Sequence, residues 1–146
     1  MGKWNLEIDV EATKAAYLLR TELCSCYSCR NFRATFETFP DQLLKLLVSM
    51  GVDPENPVHT TEFGENPDGT HLYSVYYDVV GCVISGPKFS EDLPSGNKDP
   101  LSIQLFPEVN VVVWDEPSVP GHFSSPAVEI GFFLNLPWTL DEMLRE

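Results

Sequence analysis

Val128, Ile130, Phe132, Leu134 and Leu136 stand at every second position of one stretch, with Glu129 and Asn135 opposite them. Side chains return to the same face of a β-strand every two residues, so this segment is required to run as a strand whose apolar face meets a core. The same period opens the sequence, where Trp4, Leu6, Ile8 and Val10 alternate with Asn5, Glu7 and Asp9. Strands are therefore expected near both ends, and the residues between must supply the layer that covers them.

The first part of that interval has a helical texture. Glu11–Leu23 reads as a helix because Ala12, Ala15, Ala16, Leu18 and Leu19 are good helix formers, and it is expected to stop near a group of cysteines. Phe32, Phe36 and Phe39 recur at helical spacing and predict a second, short helix, with Arg33 and Glu37 as an i,i+4 pair on its exposed side. Pro40 and Asp41 open a third. Leu43, Leu44, Leu46, Leu47 and Met50 form its apolar stripe, and Gly51 with Asp53-Pro54 closes it.

From Pro57 onward β-branched and aromatic residues take over. Val58–Phe63 and His71–Val80 flank Asn66-Pro-Asp-Gly69, which predicts a β-hairpin around a tight turn. Its second strand continues through Ile84, long enough to expect a bend or bulge at Gly81. Leu101–Phe106 and Val109–Trp114 predict two more strands with Pro107 in their turn, residues 86–100 and 115–126 read as loops, and Thr139-Leu-Asp-Glu142 matches a capping box ahead of a short helix over Leu140–Arg145. The expected fold is α+β: a largely antiparallel sheet with an N-terminal strand and a block of two to three helices packed on one face. Leu43 and Leu47 are expected to share a core with Ile130, Phe132 and Leu134. A doubly wound parallel sheet would need helices between successive strands, and none is readable from 57 to 137. At 146 residues the chain is read as a single domain, residues 1–146.

The net charge of −13 narrows the partners. Residues 1–50 carry six basic and six acidic side chains and residues 51–146 carry three and sixteen, so the excess negative charge lies after Gly51. That field repels phosphate backbones and anionic lipid headgroups, which argues against nucleic acid and against a membrane surface. It suits a basic protein partner, although solubility is the plainer account of it. No apolar run approaches the roughly 20 residues of a membrane helix, and the polar start lacks the apolar stretch of a secretory signal, so a soluble, cytoplasmic protein is expected.

Three of the four cysteines, Cys24, Cys26 and Cys29, fall within six residues. Soft thiolates bind zinc, and a two-residue spacer such as that between Cys26 and Cys29 is a usual clamp, so these three are the candidate metal ligands, converging in a loop that wraps around the ion. Three thiolates leave a structural site one ligand short; Cys82, His59, His71, His122, a carboxylate or solvent could complete it. Arg20, Arg30 and Arg33 flank the cluster and would offset its negative charge. Two other readings stand beside zinc. The cysteines can be reduced thiols packed at a helix junction, or a thiol-dependent redox site or sensor in which Cys26-x-x-Cys29 opens a helix. Four cysteines without a signal segment disfavour an extracellular disulfide scaffold.

The sequence has no H-E-x-x-H, G-x-S-x-G, P-loop or G-x-G-x-x-G, which weighs against an enzyme. Cys24-Ser-Cys-Tyr-Ser-Cys-Arg-Asn-Phe32, Gly51-Val-Asp-Pro54, Asn66-Pro-Asp-Gly-Thr-His-Leu-Tyr73 and Leu136-Pro-Trp138 ahead of an acidic segment resemble a group of small uncharacterised bacterial proteins. The resemblance covers most of the chain, implies that the three cysteines share one loop, leaves Cys82 out of the pattern and supplies no activity. The expected function is that of a non-enzymatic domain with a structural zinc site and an acidic surface for protein interaction.

Overall fold

The computed structural model describes residues 1–2, 4–20, 24–86, 103–115, 123 and 126–139. Strand β1 (Asn5–Ile8) leads directly into helix α1 (Val10–Leu18), because Asp9 turns the chain and its carboxylate accepts from the Ala12 N–H at 3.0 Å as an N-cap. Val10, expected at the end of the strand, is thus the first residue of the helix. α2 (Tyr27–Thr35) runs into a short 3₁₀ turn over Phe36–Thr38, and α3 (Asp41–Ser49) follows Pro40. The end of α3 is a Schellman motif: Val52 N–H reaches Leu47 O, Gly51 N–H reaches Val48 O, and Gly51 takes φ +85°.

Strands β2 (His59–Glu65) and β3 (His71–Ser85) form the expected hairpin. Its turn closes through Gly69 N–H to Asn66 O and Asn66 N–H to Thr70 O, with Gly69 at φ +87° and Asp68 accepting from Thr70. β4 (Ile103–Phe106) and β5 (Val109–Trp114) make a second hairpin, and β6 (Ala127–Leu136) completes one curled antiparallel sheet. The strand order is β1-β3-β6-β5-β4, with β2 also on β3.

β3 is the spine. One edge pairs with β6 from His71 to Val80; the other pairs first with β2, up to Tyr76, and then, from Gly81 on, with β1. Gly81 pairs in register with Ile8, and the irregularity expected there falls instead between Val83 and Ser85, opposite Leu6 and Asn5; a Cβ at Gly81 would lie 2.1 Å from the Glu7 carbonyl oxygen. α1 is fastened to the same strand. Thr13 Oγ1 donates to Asp9 O and accepts from the Val80 N–H, and Tyr17 OH donates to Asp78 O at 2.9 Å.

The fold is α+β, as expected, with the helices gathered over one face. Phe32, Phe39, Leu43, Leu47 and Met50 share a single core with Tyr73, Val75, Tyr77, Val79, Val111, Ile130, Phe132 and Leu134. The five residues expected to meet across helix and strand do so. No helix among the described residues is long and apolar enough to cross a membrane.

Several expectations are corrected. α1 ends at Leu18 and not at Leu23, because Arg20 is held by contacts distant in sequence: its carbonyl accepts from Asn56 Nδ2 at 2.9 Å and its Nη2 donates to Pro57 O. Arg33 and Glu37 form no ion pair among the described residues, since the helix tightens to 3₁₀ between them. Glu129 is opposite the apolar stripe, as read, yet only 3% exposed, because Val80, Val112 and Ala127 also bury this end of the second face. The helix expected over Leu140–Arg145 lies outside the described residues, as do residues 87–100 and most of the loop before β6.

Candidate metal centre

The three cysteines converge, but not in a loop alone. Cys26 is the N-cap of α2, in extended conformation at φ −65° and ψ 164°, and Cys29 is the third residue of the helix. An N-cap side chain leans over the third helical residue, which is why N-caps reach that N–H, so the chain geometry brings these two sulfurs together. Cys24 sits in the arm two residues upstream, outside any regular element.

The Sγ atoms of Cys24 and Cys26 are 3.3 Å apart, and all three sulfurs lie within 4.8 Å of one another. Zinc–sulfur bonds of about 2.3 Å in a tetrahedron place sulfurs roughly 3.8 Å apart, inside that range. The triad is close enough to hold a metal ion. Cys24 and Cys26 are exposed and Cys29 is half-buried.

The protons report the same crowding. Hydrogen bonds from the Cys26 backbone and side chain, with Arg33 adding its charge, hold the Cys24 thiol below the ordinary range. Burial, then the neighbouring Cys26 and Cys24, push the Cys29 thiol up. Three thiolates this close cannot all ionise against one another without a cation among them, and a metal ion would supply it. Arg30, stacked 4.6 Å from the centre of the Tyr27 ring, flanks the cluster as well.

The triad opens on a cleft of about 380 Å³ lined also by Arg20, Arg33, Glu55, Asn56 and His59. Among the described residues no fourth Cys, His, Asp or Glu joins the sulfurs within 4.8 Å. His59, on the cleft wall, hydrogen bonds Thr61 through Nε2 at 3.0 Å. The other suggested ligands stand elsewhere. Cys82 is on β3 opposite Glu7, and His71 is buried against Trp138 with Nδ1 3.1 Å from Glu62. His122 lies outside the described residues.

The helix bearing the cysteines is fixed from behind. Tyr73 OH donates to Ser28 O at 2.8 Å. Asn31, fully buried, donates through Nδ2 to Tyr73 OH and Pro137 O and accepts the Thr139 N–H on Oδ1 at 2.9 Å. Asn31 and Tyr73 therefore position the site, a role the sequence hinted at only in placing an amide between Arg30 and Phe32 on a helix that buries its aromatic face. Asp78 and Glu129 form a buried cross-strand acid pair that the sequence reading also missed. An aspartate inside the apolar run of the hairpin's second strand was its one signal.

No family model matches the chain, and no curated protein or solved structure matches it.

Proposed function

We propose that the protein is a small zinc-binding domain in which Cys24, Cys26 and Cys29 supply three thiolate ligands. The observation that supports this reading is the mutual approach of the three sulfurs to within 4.8 Å at the mouth of a cleft. Thiolates favour zinc over hard cations, and the fourth position, facing the cleft, is left for water or for His59 after a change of its side-chain torsion. The ion would clip the arm at Cys24 to the first turn of α2. α2 has its own anchors in Phe32, Asn31 and Tyr73, so the metal's structural contribution is local.

The acidic half of the chain belongs to the same reading as a surface for a basic protein partner, supported by charge alone. Asp78 and Glu129 are withdrawn from that surface by burial.

Elemental analysis of protein purified without added metal tests the site. About one zinc per chain is expected, with three thiols shielded until a chelator is added and Cys26→Ser abolishing retention. A ratio near zero with every thiol freely reactive would leave the cysteines as packing residues.

A further inference from the structure

Cys24 and Cys26 differ from the other two cysteines. Both are exposed, and their sulfurs are 3.3 Å apart where the chain enters α2. A disulfide bond is about 2.05 Å long, so a torsional adjustment within the arm closes the gap. Cys29 is half-buried on a helical turn held by Tyr73, and Cys82 is built into β3.

We propose that Cys24 and Cys26 are a peroxide-responsive pair: a hydroperoxide oxidises them to a reversible disulfide, and closing that bond evicts the metal. The eviction rests on the zinc reading above; the disulfide does not. One thiolate attacks the peroxide oxygen, forming an S–O bond as the O–O bond breaks, and the leaving oxygen takes a proton to become water or an alcohol. The second thiolate, 3.3 Å away, then attacks the sulfenic sulfur. An S–S bond forms, the S–O bond breaks, and hydroxide leaves and is protonated to water. Two electrons have passed from the two sulfurs to the peroxide. Cys29 is then the one thiolate left on the ion, too few to retain it. A small dithiol reverses the step by exchange, becoming a disulfide itself and returning both thiolates.

The structure favours a small oxidant. Both sulfurs face a cleft of about 380 Å³, and Arg20 and Arg33 on its walls can donate hydrogen bonds to the departing oxygen.

Zinc-loaded and chelator-stripped full-length protein should each be treated with a small excess of hydrogen peroxide and then with an alkylating agent. Residues 21–30 leave trypsin as one peptide carrying all three cysteines, so fragmentation must locate the alkyl group. The expected result is loss of two hydrogens in both forms, alkylation on Cys29 and Cys82 only, zinc released in step with thiol loss, and full reversal by dithiothreitol. Cys29→Ser should still form the disulfide; Cys24→Ser should not. A disulfide containing Cys29 or Cys82, sulfinic acid in place of a disulfide, or four surviving thiols would overturn the proposal. Zinc retained after the disulfide has formed would overturn the eviction. A disulfide in a protein that never binds zinc would defeat the zinc reading and leave the oxidation standing.

Discussion

The Tyr73 hydroxyl, on the central strand, donates to the carbonyl of Ser28, the residue just before Cys29. A side chain of the sheet thus fixes the helical turn from which two of the three sulfurs project. Tyr73→Phe removes that donor and the acceptor of Asn31 Nδ2 inside the core. The expected loss is about 1–2 kcal/mol, read as a lower melting temperature, together with weaker zinc retention.

Burial and the neighbouring Glu129 carboxylate push the Asp78 carboxyl up to about 8, far above its ordinary value. The folded chain therefore holds a proton that the unfolded chain has released between about pH 4 and 8. Stability is expected to be highest at the acid end of that window and to decline as pH rises through it, by at most about 1.4 kcal/mol per unit. Melting temperatures from pH 5 to 8 check this, and Asp78→Asn should flatten the slope.

Gly81 and Gly131 contrast in what surrounds them. At Gly81 an added Cβ would meet backbone, the Glu7 oxygen at 2.1 Å and Ile8 Cα at 3.0 Å, so Gly81→Ala must push β1 off the sheet. A loss of about 2 kcal/mol or more is expected, with faster amide exchange over residues 5–8. At Gly131 the obstacle is the Tyr76 ring, a half-buried side chain able to shift, so Gly131→Ala should cost less.

Glu108, in the two-residue turn between β4 and β5, holds φ +64°, a left-handed conformation that costs most L-residues about 1 kcal/mol. Asn tolerates it better. Glu108→Asn is expected to raise the melting temperature by a degree or two, on the order of 0.5 kcal/mol.

Local chemistry was the legible part of this fold. The turn at Asn66-Pro-Asp-Gly69 and the stop at Gly51 are written in residues whose backbone preferences act over a few positions, and both form where the sequence places them. The stripe from Val128 to Leu136 likewise declares its face. What the sequence concealed depends on partners far along the chain. α1 stops early because Asn56 and Pro57 take up Arg20, and Glu129 is buried because a second set of side chains closes over its face. The cysteine cluster was legible as a candidate metal site, whereas the division of its cysteines between an arm and a helix was not, since that follows from where α2 begins. The anchoring of α2 by Asn31 and Tyr73 links residues 42 apart and has no signature in either segment.

The shared edge of β3 also dictates an order of assembly. Asn5 pairs with Ser85, and His71 with Leu136, so β1 finds its partner only after the long middle strand has been made, and the second edge of that strand is sealed only when β6 follows. Such long-range pairing slows folding, and it leaves the β6 edge of β3 open to aggregation until Ala127–Leu136 has been made. A chain truncated before Ala127 would present the whole β6 edge of the spine, from His71 to Val80, as an open template for other chains.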